Sequence, residues 1–350
     1  MILSEFKYKE SSGWNLDSIS LNPLNLIVGL NAVGKSRTIM AIGNVVQFIK
    51  GEELVFDDDF SCSLRLTNGY ELLYSYEVAD GKIASEILQK DNEVLIRRKG
   101  ASAVVYGKEI NPPATKLVVQ IHRDTKACPE IEEVIQWAEH TSIFVFSNIT
   151  TSPHSLSPYA ISNEPLLPLM YESIDDERRV VLKGYLKDLG YEIDRIEEFE
   201  KPNGVKTIRL YETGIDKPLS PFDLSNGMFR VFCALLYMIY SSTLSVARCL
   251  IVDDMGEGLD YSRSKKLSKI VFDYCEEHGI QLIVTSNDNF LMNAVDLKHW
   301  ILLMREKELV TAVSERTHPD IFLKFKRKGL NNFDLFSSGF VYKYLKSQEA

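Results

Sequence analysis

An α/β fold with a mixed central sheet is what this sequence predicts, and three observations carry the prediction. Two short apolar runs, Leu24–Val28 and Cys249–Val252, have the length of buried strands, and each is followed by a helical stretch. The last third of the chain alternates strand and helix, which implies parallel pairing with right-handed crossovers. Residues 60–110 instead alternate apolar and polar positions with a period of two, the pattern of an antiparallel meander.

Each element has a local reason. After Leu24–Val28 comes a glycine-bearing loop and then a helix from about Lys35 to Lys50. Ile39, Ile42, Val46 and Ile49 fall near one face of that helix, and Gly51 stands where a C-cap would. In the meander Tyr70, Leu72, Tyr74, Tyr76 and Val78 alternate with mostly polar neighbours. Asn68-Gly69 and Asp80-Gly81 supply hairpin turns, and Pro112-Pro113 closes the series. Residues 150–170 read as loop, with Pro153, Pro158, Pro165 and Pro168. A charged helix over about 173–189 and strands near 192–199 and 205–212 follow. Leu267, Ile270, Val271 and Tyr274 mark a helix face, and Gln281–Thr285 and Trp300–Met304 are further strands. The chain therefore divides into an N-terminal lobe, 1–110, an α+β insertion, 111–219, and a C-terminal lobe, 220–350.

Composition narrows the function. Of 350 residues, 45% are hydrophobic and 25% charged, a globular mixture that excludes fibrous and disordered classes. The net charge of −9 excludes a phosphate-binding surface over the whole molecule. Local basic runs at Arg97-Arg98-Lys99 and at Lys324, Lys326, Arg327 and Lys328 leave nucleic acid open as a partner, with solvated charge the blander account. Five cysteines without a C-x-x-C pair argue against a disulfide framework or structural zinc, and a cytoplasmic location is expected. The histidines show no metal-ligand spacing. No signal peptide is readable at the start. The apolar run from Val231 breaks at Ser241-Ser242-Thr243, so no membrane span is expected.

The chemistry concentrates in a few segments. Gly29-Leu30-Asn31-Ala32-Val33-Gly34-Lys35-Ser36 matches G-x-x-x-x-G-K-[ST], between a strand and a helix. Its glycines let backbone amides close around phosphate oxygens, and the helix N-terminus faces the same anion. Lys35 would reach the β- and γ-phosphates, Ser36 would ligate Mg²⁺, and Arg37 completes the nucleotide-binding set. Asp253 and Asp254 end the second apolar run, where ligands of parallel sheets bind. Asp253 is placed for Mg²⁺ and Asp254 for the attacking water; alone, the pair would as readily be strand-end caps. Ser225 and Gly227, in Leu224-Ser225-Asn226-Gly227-Met228, precede an apolar helix that Ser225 could simply cap. Trp14 could stack on a base, although packing is the commoner use of such a residue.

Taken together, these segments resemble the ABC/SMC superclass of P-loop ATPases. Leu224–Met228 resembles the L-S-x-G signature, 28 residues before Asp253, and Glu257-Gly258-Leu259-Asp260 resembles the D-loop. Thr285-Ser286-Asn287-Asp288 stands at the switch segment. Within the class the chain is similar to bacterial AAA-type proteins related to OLD-family ATPases and AbiEii-like toxins, and Gly329-Leu330-Asn331-Asn332-Phe333 adds to the likeness. The resemblance implies an ABC/SMC-like head that dimerises head to tail around ATP and Mg²⁺. Ser225 and Gly227 of one copy would grip the phosphate held by Lys35 of the other. It further implies an ATPase switch controlling an effector, such as a nuclease or toxin in phage defence. The roughly 60 residues after Asn287 are too few for the Toprim nuclease domain of full OLD proteins. Two departures stand out: Asp254 where the class has Glu, and Asn287 where it has His. Glu257 is a second candidate base, and Gln120 and Gln136 both remain for the Q-loop glutamine. Two other functions fit the same motifs, a DNA-maintenance ATPase acting directly on DNA and a nucleotide-gated scaffold with negligible hydrolysis.

Overall fold

The computed structural model describes residues 1–52, 59–146, 166–202, 204, 206–244 and 248–349. The N-terminal part runs β1 (Ile2–Glu10), β2 (Asn15–Ser20), β3 (Leu24–Val28), α1 (Lys35–Lys50), β4 (Phe60–Thr67), β5 (Glu71–Ala79), β6 (Lys82–Lys90), β7 (Glu93–Lys99), β8 (Ser102–Val105) and β9 (Lys108–Ile110). The middle holds α2 (Val118–Ile121), α3 (Pro129–Glu139), β10 (Thr141–Val145), α4 (Leu166–Ser173), α5 (Asp176–Asp188), β11 (Ile193–Glu200) and β12 (Lys206–Glu212). The rest is α6 (Asn226–Ser241), β13 (Cys249–Asp253), α7 (Tyr261–Glu277), β14 (Gln281–Thr285), α8 (Asn289–Ala294), β15 (Trp300–Glu306), β16 (Leu309–Ser314), α9 (Pro319–Lys326), α10 (Asn332–Ser337) and α11 (Phe340–Glu349). Of the proline-rich stretch expected at 150–170, the part through residue 165 lies outside the described residues. None of the described helices is long and apolar enough to cross a membrane.

Fourteen strands form one sheet in the order β10-β13-β14-β3-β15-β16-β2-β1-β4-β5-β6-β7-β8-β9. From β10 to β15 all neighbours are parallel, and from β2 outward through β9 all are antiparallel. The expected meander is thus continuous with the central sheet. The expected insertion 111–219 is also crossed by it, because Thr141–Val145 pairs in parallel with Cys249–Asp253 as the edge strand. Among the described strands of that region, β11 and β12 form a separate antiparallel pair.

The central strands are largely apolar because both faces are covered, and the buried Asn25 inside β3 donates to the carbonyls of Asn22 and Leu282. Along β3, Leu24, Leu26 and Val28 enter one core, with α6 and α7, while Ile27 enters the other, with α1 and the meander. Leu250 and Val252 of β13 join the first core and Cys249 and Ile251 the second; Leu282 and Val284 of β14 divide from Ile283 in the same way. All five cysteines are buried and free. The basic run on β7 is not a solvated patch throughout: Arg98 is buried and donates to the carbonyls of Gly100, Pro113 and Lys116. Near the C-terminus Lys326 pairs with Glu315, and Lys324 and Lys328 lie over the rings of Tyr344 and Phe340.

Gln281 joins the N-terminal strands to the parallel sheet. It is buried at the start of β14, accepts from Leu3 N–H at 2.8 Å, and donates to the carbonyls of Leu3 at 2.7 Å and Asn22 at 3.1 Å. Replacing it by Leu keeps the volume but leaves those buried groups without partners. Gln281→Leu is expected to lower the unfolding free energy by about 2 to 4 kcal/mol, measured by denaturant titration.

Candidate functional site

The phosphate loop begins where β3 ends. Gly29 is packed so tightly that a Cβ would lie 2.8 Å from Val33 and 3.0 Å from the Leu303 carbonyl. Ala32 and Gly34 both have left-handed backbones, with φ of 62° and 112°. These turns wrap the loop back onto α1, whose first residue is Lys35. Leu30, Asn31 and Ala32 form the exposed tip. The Lys35 side chain is buried, and its ammonium donates to the carbonyls of Gly29 at 2.9 Å and Leu30 at 3.3 Å. Burial lowers its pKa, and the charges of Asp254 and Asp253 oppose that shift. Ser36, half-buried, and Arg37, exposed, follow in the same turn.

The acids arrive from the neighbouring strands. Asp253 is the last residue of β13 and is buried; Asp254 is the first beyond it, in a left-handed conformation with φ of 54°. Between β13 and β3 runs β14, and its last residue, Thr285, reaches both acids. The Thr285 hydroxyl donates to the Asp253 carboxylate and accepts from the Asp254 N–H at 2.8 Å. Met255 N–H donates to the Thr285 carbonyl, and Ser286 donates to the Met255 carbonyl. The acids are therefore held by main-chain and hydroxyl bonds across two strand ends. Asn287 donates to the Asp254 carboxylate at 3.4 Å. Burial first, then the charges of Asp253 and Glu257, push the Asp254 carboxyl up to about 6, against the pull of Lys35.

Thr285 is the residue that sequence reasoning missed. Its signal was present, a hydroxyl at the carboxyl end of the strand beside the acids, but only the register shows what it touches. Glu257 is exposed where Asp254 is half-buried, and its carbonyl accepts from Arg230. The two glutamines lie away from the acids. Gln120 bonds the carbonyl of Phe48 in the last turn of α1, about 20 Å along that helix from Lys35; Gln136 sits in α3, where its side chain bonds Glu132.

Ser225 caps α6, its hydroxyl accepting from Met228 N–H at 3.2 Å. Gly227 faces the D-loop segment, where a Cβ would lie 3.3 Å from Leu259 and 3.6 Å from the Gly258 carbonyl. Ser225 and Asn226 are exposed, and among the described residues no hydrogen bond joins them to the phosphate loop. A cavity of about 570 Å³ is lined by Asp254, Glu257, Gly258, Leu259, Asn287 and Phe333, so the Gly329–Phe333 segment ends at the rim of the acidic site. Trp14 is buried beneath the phosphate loop rather than open to a ligand.

The residues present fit a magnesium ion bound with a nucleotide. Mg²⁺ takes one or two protein oxygens and fills its remaining positions with phosphates and water. Ser36 in the first turn of α1 and Asp253 at the end of β13 offer one hydroxyl and one carboxylate, and Thr285 occupies only one oxygen of that carboxylate. Among the described residues no group of three or more His, Cys, Asp or Glu could hold a metal unaided.

Comparison with known proteins follows the same lines. A family model described as "AAA domain, putative AbiEii toxin, Type IV TA system" matches residues 159–293, a span holding Ser225, Asp253, Asp254 and Asn287 but not the phosphate loop. No curated protein matches the chain. A solved SMC head bound to the C-terminal winged-helix domain of ScpA is 14% identical, with a TM-score of 0.56, over 90% of this chain and 97% of that one. An SMC head with an extended coiled coil, bound to the C-terminal domain of ScpA derived from Pyrococcus furiosus, is 11% identical, with a TM-score of 0.52, over 93% and 99%. The phosphate loop, the acids two strands away and the likeness to these solved heads give the chain the mixed α/β fold of an ABC/SMC-like head.

Proposed function

We propose that the chain binds and hydrolyses ATP with Mg²⁺ between two copies packed head to tail, and that this cycle controls a partner effector such as a nuclease or toxin. The observation that carries the proposal is the arrangement at the carboxyl ends of β13, β14 and β3. A buried ammonium faces two carboxylates, with a hydroxyl and an amide fixing the acids.

Each residue then has one task. Lys35 exchanges its loop carbonyls for the β- and γ-phosphates. Ser36 and Asp253 hold Mg²⁺, which when bound neutralises phosphate charge. Thr285 holds one oxygen of the Asp253 carboxylate, leaving the other for the ion that would bind there, and sets the backbone of Asp254. Asp254, with an affinity for protons near that of its surroundings, orients and deprotonates the attacking water, which is the efficient range for a general base. Asn287 donates to that carboxylate and stabilises its orientation. Ser225 and Asn226 at the N-terminus of α6 are exposed and Gly227 is half-buried behind them, so this helix end is available to another copy's phosphates. The AAA family match and its toxin-type description support the effector reading.

ATP turnover is expected to fall by at least about 100-fold in Lys35→Ala and in Asp254→Asn, read by phosphate release. Ser225→Arg should retain binding of one ATP per chain but lose ATP-dependent dimerisation in sedimentation. Normal turnover in Lys35→Ala, or unchanged dimerisation in Ser225→Arg, contradicts the mechanism.

The same Asp254→Asn change should stabilise the nucleotide-free protein. An acid with a raised folded-state pKa binds protons more tightly folded than unfolded, so stability declines as pH rises from the ordinary carboxylate range through about 6. Removing the charge recovers that loss. After discounting for partial exposure, the gain at pH 7.5 is about 1 kcal/mol, shrinking toward zero as the buffer is brought below pH 5, by thermal or denaturant melts.

A further inference from the structure

Arg37 is a cation in the wrong place for helix stability. It sits in the first turn of α1, at the positive end of the helix dipole, two residues from Lys35, and no acidic residue shares that turn. Its compensation comes from another part of the chain. Glu10, at the end of β1, pairs with the guanidinium, and the ring of Trp14 lies beneath it, 4.9 Å from the guanidinium carbon. Trp14 is 2% exposed and its edge abuts Gly34, with Nε1 3.4 Å from where a Cβ would stand. Among the described residues that Nε1 has no hydrogen-bond partner. The Arg37 side chain nevertheless remains 45% exposed. A planar cation is thus clamped from the side, backed from below, and left open on its outer face.

The strand order says what that face meets. Asp253 and Asp254 lie on the β14 side of β3, whereas Glu10 and Trp14 belong to β1 and the turn into β2, on the β15 side. A nucleotide held by the loop with its terminal phosphate toward the acids runs the other way at its nucleoside end. That end passes over the first turn of α1 toward Arg37. This inference rests on the nucleotide reading above. We propose that Arg37 seats the nucleobase: its guanidinium, supported by Trp14 and held by Glu10, stacks on the base as a plane on a plane. Every base offers such a face, so Arg37 favours nucleotides over bare polyphosphate without choosing among bases.

The test compares Mg-ATP with Mg-tripolyphosphate by calorimetric titration of the full chain, using wild type, Arg37→Ala and Arg37→Lys. Arg37→Ala should weaken ATP binding about 10-fold, the range of one base–side-chain stack, and leave tripolyphosphate binding within about 2-fold. Arg37→Lys keeps the charge without the plane and should behave like Arg37→Ala. Equal losses for both ligands would make Arg37 a phosphate contact and overturn the proposal. So would full ATP affinity in Arg37→Lys or in Arg37→Ala. Wild-type chain that binds neither ligand would instead overturn the nucleotide reading, and this inference with it.

Discussion

The candidate site depends on the parallel pairing of β14 with β13 on one side and β3 on the other. That pairing sets the loop after β3 and the acids after β13 a fixed two strands apart, about 10 Å by ordinary strand spacing. The two ends of β14 secure the arrangement. At its start Gln281 bonds the main chain of Leu3 and Asn22, tying the N-terminal strands to the sheet. At its end Thr285 bonds both acids. A slip of one residue in β14 would send Ile283 to the opposite core and turn Thr285 away from the acids, so the burial of both faces is what enforces the register of the site.

Charge placement within that frame is costly without a ligand. Lys35 is buried, the Asp254 carboxyl is held well above its ordinary range, and both acids act on the ammonium. The loop carbonyls of Gly29 and Leu30 give Lys35 temporary partners. On the proposed reading these groups would be arranged in advance for a polyanion and a divalent cation, at a cost in stability.

The parts legible in the sequence are those governed by local rules. The phosphate loop could be read because Gly29, Gly34 and Lys35 carry their requirements in their own side chains or lack of them. The meander could be read because Leu72, Tyr74, Tyr76 and Val78 alternate and Gly69 and Gly81 supply positive φ. The end of β3 and the acids after β13 followed from short, largely apolar runs. What escaped depended on distant pairing. Thr141–Val145 is short and half polar, and its place at the sheet edge comes from β13, more than a hundred residues away. Leu309–Ser314 pairs back onto β15 through a tight turn, with Lys307 at a φ of 55° that no glycine advertises. Thr285 shows in the sequence only as a hydroxyl at a strand end, since its task exists only when β13 is beside it.

The two departures from the resembled class have a common physical basis. Asp254 adopts a left-handed backbone, which Asp tolerates better than longer acids because its short polar side chain can bond locally. A Glu at the same φ would lose that advantage, so the shorter acid and the backbone turn are one feature. Once the acid is shorter, the group facing it must approach without adding a charge of its own that varies near neutrality. An amide does this: Asn287 donates to Asp254 and has no proton to release in that range. With a titrating imidazole the protonation of the two groups would be coupled, and the state of the acid would depend on its neighbour. Here the state of the acid is set first by burial and then by the neighbouring Asp253, Glu257 and Lys35 charges.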